Sequence, residues 1–188
     1  LERLGVGAID IYNFHGINQK AWEQWVNVPN GMLAWMNKAH AQGLVRHVCC
    51  SFHDTPDALR VIAESDAFSA ITLQYNLIDR VLEPVLHELA ARDIGVIVMG
   101  PVGGGRLRSA EGAFAGLLDE VKSTPEIALR FVLSNPDVTL TISGMSSLEQ
   151  LEENCAAASR EEALTATERA QVDSELARLQ GLADLYCT

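Results

Sequence analysis

The chain has 188 residues, 48% of them hydrophobic, which is length and apolar content enough for one domain with a substantial core. Its 14 Lys and Arg stand against 25 Asp and Glu, and a formal net charge of -11 repels a phosphate backbone, so nucleic acid is excluded as an expected partner. No apolar run approaches the roughly 18 residues needed to cross a bilayer, and the first residues lack the basic and apolar regions of a signal peptide; a soluble, cytoplasmic protein without a membrane partner is expected.

In chain order, strand and helix signals alternate. Ile9–Phe14 reads as a strand of aliphatic and β-branched character. Asn30 then precedes a Met32, Leu33, Met36 face that runs to Gly43, which reads as a C-cap. Val45–Ser51 is the second strand and holds the adjacent cysteines Cys49 and Cys50, which read as small buried thiols. Thr55 and Pro56 form a cap followed by proline at the first helical position, with Leu59, Ile62 and Ala63 on one face. A third strand, Ala70–Gln74, is followed by a helix opening at Pro84 and carrying Val85, Leu86, Leu89 and Ala90. The fourth strand, Val96–Met99, runs into Gly100, Pro101 and the three consecutive glycines Gly103, Gly104 and Gly105. Thr124 and Pro125 repeat the cap-and-proline device ahead of Ile127, Ala128 and Phe131. After the fifth strand, Thr139–Ser143, two capping boxes follow: Ser147 with Gln150, and Thr165 with Glu168. Val172, Leu176 and Leu179 recur at helical spacing on the last helix, whose acidic surface, like Glu161 and Glu162, reads as a solvated face.

Strict alternation of solidly apolar strands with helices calls for a parallel sheet covered by helices. An open dinucleotide-binding sheet would place a GxGxxG after its first strand; "IDIYNFHGIN" has none. The expected fold class is therefore α/β, a (β/α)8 TIM barrel that is incomplete, and residues 1–188 form one partial barrel domain. In such a barrel the functional residues sit after the C-terminal ends of the strands. Here those ends hold His15, Ser51, the trio Gln74, Tyr75 and Asn76, the run Gly100 to Arg106, and Ser143 with Gly144. Bare backbone in the glycine run is suited to close approach by a phosphate. The cysteines, Cys49, Cys50, Cys155 and Cys187, have no CxxC spacing, so neither a zinc site nor a disulfide framework is supported.

These residues resemble the aldo-keto reductase family. "LERLGVGAIDIYNFHG" is similar to the segment leading into the fourth barrel strand, "GLVRHVCCSFHD" to the fifth, "LQYNLIDR" to the sixth, "GVIVMGPVGGGRL" to the seventh, and "TISGMSSLEQLEEN" to the eighth strand with its helix. The resemblance covers nearly the whole chain and implies strands four to eight with their helices. The variant motifs SFHD, VIVMGP and SGMSS look most like a branch with a C-terminal iron-sulfur ferredoxin-like module, in which "YCT" resembles the start of a cysteine-rich run. An iron-sulfur cluster is expected only if such a module follows Cys187.

The resemblance implies hydride transfer between NADPH or NADH and a small carbonyl or alcohol substrate, by an Asp, Tyr, Lys and His set. Only His15 has a counterpart, the other three belonging to the first barrel strands. The chain by itself is thus expected to be inactive. Five strands cannot close an eight-stranded barrel: either the chain is a fragment of a longer protein, which is favoured, or its open edges are completed by self-association or a partner. A non-catalytic nucleotide-binding or interaction protein remains the alternative.

Residue by residue, Ser51 matches the serine that holds the nicotinamide carboxamide, although the usual neighbouring asparagine is Phe52 here. The family's cofactor glutamine falls at Thr72; Gln74, two positions along the strand and on the same face, is either its substitute or a polar strand end. Met99 stands where the family stacks an aromatic ring on the nicotinamide, or is an ordinary core methionine. Gly100, Gly103, Gly104, Gly105 and Arg106 match the loop along the pyrophosphate. Ser143, Gly144, Ser146, Gln150 and Asn154 match the adenosine end, where Gly144 and Gln150 replace the basic residues that commonly pair with a 2′-phosphate, so a strong NADPH preference is not implied. Ser147 and Gln150 have the equal alternative of capping the helix. No metal ligands are expected.

Overall fold

The computed structural model describes residues 1–107, 114, 116–118, 121, 123–160 and 162–186, with side chains described as far as residue 179. Glu161 and Cys187 lie outside them. Five strands, β1 (Ile9–Ile17), β2 (Val45–Phe52), β3 (Ala70–Gln74), β4 (Gly95–Met99) and β5 (Leu140–Ile142), form one sheet in the order β1-β2-β3-β4-β5. β1 pairs in parallel with β2, and β2 with β3. Sequential order with a helix-bearing crossover after each strand is the connectivity that the alternating pattern demands.

The described chain divides into two compact units. The first comprises residues 1–74, 81–98 and 137–140. Its core follows from β2, in which Val48 to Phe52 are all buried, the continuous apolar run of a strand covered on both faces. α3 (Pro56–Ala63) buries Ala58, Leu59, Ile62 and Ala63, and each fully buried leucine or isoleucine contributes about 1.5–3 kcal/mol. Thr55 caps α3 by accepting from the Ala58 N–H, with Pro56 in the first turn, as the sequence predicts. α4 (Glu83–Ala90) buries Val85, Leu86 and Leu89. Phe14, Phe68 and Trp22 form an aromatic cluster with ring centroids about 6 Å apart.

A short turn of helix, α1 (Gln19–Ala21), and a π-helical turn (Trp22–Val26) follow β1; neither has a clear periodic signal in sequence. α2 (Met32–Ala41) departs from expectation twice. Its cap is Gly31, not Asn30, because Asn30 takes a left-handed conformation with φ 58°. Its apolar face is not buried: Met32 and Trp35 are exposed, the latter at 65%. Leu33 and Met36 are half-buried, so the described residues cover the expected face only in part. Gly43 ends the helix as expected, at φ 70° with its N–H on the His40 carbonyl.

The second unit comprises residues 75–80, 99–136 and 141–188. α5 (Thr124–Leu133) buries Ile127, Ala128, Phe131 and Val132. Ser123 rather than Thr124 is its cap, accepting from the Glu126 N–H, which places Pro125 at the second helical position, where a missing N–H is equally harmless. Tyr75 packs on Phe131, and the guanidiniums of Arg80 and Arg169 lie over the same ring. α6 (Leu148–Ala158) and α7 (Ala166–Tyr186) complete the unit. At α7 both arms of the expected capping box form: Thr165 Oγ1 accepts from the Glu168 N–H at 3.2 Å and Glu168 Oε2 accepts from the Thr165 N–H at 2.7 Å. The same contacts, with Arg130 behind them, hold the Glu168 carboxyl below its usual range. Val172 is buried as predicted.

Candidate functional site

His15 and Ser51 belong to the first unit. β1 carries one residue too many opposite β2: Phe14 pairs with Cys50 and Ile17 with Phe52, so three steps on one strand face two on the other. This bulge turns at Gly16, φ 68°, and leaves His15 exposed. An extra residue also leaves a ladder N–H without a partner, which in a buried position is costly. Ser51 resolves that. Its buried hydroxyl accepts from the Gly16 N–H at 2.8 Å and donates, over a long 3.5 Å, to the Phe14 carbonyl. Ser51 therefore brackets His15 on the backbone, a role that the sequence motif does not reveal. Behind it, burial pushes the Cys50 thiol up to about 12, with neighbouring Cys49 adding to the shift, so neither cysteine behaves as a nucleophile. Gln74 and Thr72 share a face of β3, Thr72 buried and Gln74 half-buried.

The remaining predicted residues belong to the second unit, and most surround one cavity of about 360 Å³. Gly100, Gly104 and Gly105 contribute from the loop after β4, and Gly144, Ser146, Gln150 and Asn154 from the segment after β5 and α6. Pro101, Val102, Pro125 and Glu153 complete the lining. The structure thus brings together seven predicted residues that range from Gly100 to Asn154 in sequence. Met99 is half-buried at the strand end and is not part of this lining.

The glycine run is a tight turn. Gly103 and Gly104 have φ 60° and 63°, a region that side chains strain to enter. At Gly104 a Cβ would meet open space, so only the backbone demands glycine; at Gly103 it would also stand 3.2 Å from Ile78 Cδ1. The turn consumes its own amides: Gly103 N–H donates to Gly100, Gly105 to Val102 and Arg106 to Gly103. Those three amides are directed within the loop rather than outward. The Arg106 guanidinium likewise donates to the Gly103 carbonyl at 3.0 Å.

At the α6 end, Ser147 caps the helix through the Gln150 N–H, while the Gln150 carbonyl oxygen accepts from the Ser146 N–H at 2.8 Å and from its hydroxyl at 3.3 Å. The capping alternative for these two residues is realised, although Gln150 reaches Ser146 instead of Ser147. Asn154 donates to the Ser143 hydroxyl at 3.1 Å, which fixes the strand end to the helix. Glu153 is the charged residue of the lining, and no cation lines the cavity among the described residues. No cluster of His, Cys, Asp or Glu able to hold a metal ion is found among them, and no described helix is long and apolar enough to cross a membrane.

Comparison with known proteins bears on the family and the fold. The Aldo/keto reductase family model matches residues 1–116 and 118–177. An uncharacterised oxidoreductase of Schizosaccharomyces pombe is 34% identical over 170 residues, covering 84% of this chain and 50% of that protein. One from Bacillus subtilis is 27% identical over 182 residues, covering 84% and 57%. The chain thus spans about half the length of the curated relatives it matches. Among solved structures, an aldo-keto reductase of Bacillus halodurans in its holo form superposes with a TM-score of 0.75 at 24% identity, covering 93% of this chain and 61% of that one. A glycerol dehydrogenase of Gluconobacter oxydans gives 0.70 at 23%, covering 95% and 61%. At these identities the structural matches establish the fold: five parallel strands and their helices, part of a (β/α)8 barrel.

Proposed function

This chain belongs to the aldo/keto reductase family, and from that premise we propose that its residues serve an NAD(P)H-dependent oxidoreductase, moving a hydride to or from a small carbonyl or alcohol. The observation that carries the reading is the cavity of about 360 Å³ in the second unit, which gathers the glycine loop, Gly144, Ser146, Gln150 and Asn154. Its size and its mixed apolar and polar lining suit the nucleotide part of a dinucleotide. With three loop amides turned inward, the residues that would hold the pyrophosphate are the glycines of the loop, by close approach, and Arg106, whose guanidinium would supply the positive charge.

When bound, the nicotinamide supplies the hydride. His15, exposed on its bulge, is the residue assigned to orienting the carbonyl oxygen, and Ser51 and Gln74 are the polar groups of the first unit assigned to the carboxamide. His15 is the single residue matching the family's catalytic set, so the chain alone binds nucleotide without turning it over. Among the described residues the cavity lining offers a 2′-phosphate the carboxylate of Glu153 and no cation, which favours NADH at least as strongly as NADPH.

Titration of the chain with NADH and NADPH, followed by nicotinamide fluorescence, tests the reading. Saturable binding, NADH no weaker than NADPH, and no consumption of cofactor with aldehydes are expected. Absence of saturable binding for both would overturn it, and rapid turnover would overturn the assignment of His15 as the one matching catalytic residue.

A further inference from the structure

Asn76 is fully buried in the turn after β3, and its side-chain amide makes three hydrogen bonds. Its Oδ1 accepts from the N–H groups of Ile78 at 3.1 Å and Asp79 at 2.9 Å. Main-chain bonds between Asn76 and Asp79 in both directions close the same turn. The Nδ2 arm leaves the turn and donates to the carbonyl of Gly100 at 3.0 Å. That carbonyl also accepts from the Gly103 N–H at 2.9 Å, so both of its lone pairs are used. Ile78, held by the Asn76 side chain, stands where a Cβ on Gly103 would come within 3.2 Å. One side chain thereby sets two points of the glycine loop, its first carbonyl directly and its left-handed Gly103 through Ile78.

We propose that Asn76 is a positioning residue for dinucleotide binding, holding the glycine loop in the conformation that receives the pyrophosphate. The inference rests on the nucleotide reading above. Nothing in the geometry has Asn76 touch the ligand: its role is to keep Gly100, Gly104 and Gly105 on the cavity wall. A buried amide with three satisfied bonds is rigid, and cutting the Gly100 tether frees a loop whose other bonds among the described residues are short-range ones of its own.

The test compares two ligands on the intact chain. NADH spans the glycine loop, whereas adenosine reports on the Gln150 and Asn154 end alone. Asn76→Ala removes the whole anchor; Asn76→Asp keeps both acceptor oxygens toward the turn and turns the donor to Gly100 into a carboxyl oxygen that repels that carbonyl. The expected result is NADH binding weakened about ten-fold in each variant, the size of losing one buried hydrogen bond, at low and high salt alike, with adenosine affinity unchanged. If Asn76→Ala does not fold, Asn76→Asp decides. NADH binding equal to that of the unaltered chain overturns the proposal and leaves the nucleotide reading standing. Equal loss of adenosine and NADH also overturns it, because Asn76 is then needed for folding alone. Failure of the unaltered chain to bind either ligand overturns the nucleotide reading and this inference with it.

Discussion

The bulge at His15 and the glycine loop at 100–105 are two irregular strand ends, each held by a single buried polar side chain, but they are held differently. Ser51 supports the bulge through one short bond, from Gly16, and one long one, to Phe14. Asn76 supports the glycine loop through one bond, to the Gly100 carbonyl at 3.0 Å, and is itself fixed by two more, from the N–H groups of Ile78 and Asp79. A hydroxyl whose proton is weakly held can turn to a ligand without dismantling the bulge, since its acceptor role toward Gly16 is independent of that proton. The Asn76 amide cannot turn without breaking its bonds to Gly100 and to its own turn. The two anchors therefore suit two tasks: Ser51 supports the backbone and remains able to bind, whereas Asn76 supports only.

The largest expected effect breaks the comparison by pH. Cys50 precedes Ser51 on β2, and its thiol ionises near 9.0 when unfolded but is pushed up to about 12 in the fold. Below the unfolded value both states are protonated and the stability is fully present; as pH rises from 9.0 toward 12 the unfolded state alone loses its proton, and stability falls, by up to about 4 kcal/mol at the alkaline limit. Hydrogen exchange measured across this range should show β1 and β2 opening before the glycine loop. Cys50→Ala should flatten the urea-midpoint profile, and an unchanged slope in that variant would sink the account.

Next in size is Ser51→Ala, which leaves the Gly16 N–H unpaired and should cost about 1–3 kcal/mol in urea unfolding. Ser51→Thr, which retains the hydroxyl, should recover part of it. If Ser51→Ala is neutral, the bulge needs no anchor and the contrast with Asn76 loses its first half. The smallest effects separate the two glycines. Gly104→Ala should cost about 1 kcal/mol from backbone strain alone, and Gly103→Ala slightly more, because the end of the Ile78 side chain must also shift. Equal costs would show that Ile78 does not fix the loop.

Much of the fold was legible because local signals agreed. All five strands are found within a few residues of their expected ranges, since short β-branched runs bounded by glycine or proline have few alternatives. Caps were less exact. The cap moved from Thr124 to Ser123 and from Asn30 to Gly31, because neighbouring residues of similar capping ability are separated only by backbone dihedrals that packing selects. The burial of α2 was not legible at all: periodicity marks a face but not what covers it.

For the candidate site, glycine positions and strand ends pointed to the loop residues, and the cavity collects seven of them. Asn76 was visible as a strand-end residue, yet nothing local distinguishes an anchor from a polar surface group. Its partner Gly100 lies 24 residues away, a relation that strand order and twist decide.

Composition, apolar alternation and the ordered motifs determined by themselves the α/β class, the strand sequence and the family, because these depend on residue chemistry at short range. The tertiary structure alone decided which polar arms are spent on backbone and which face a cavity. Hydrogen bonds are satisfied by whatever the fold brings within about 3 Å, and for Ser51, Asn76 and Gln150 that partner is set by geometry rather than by residue type.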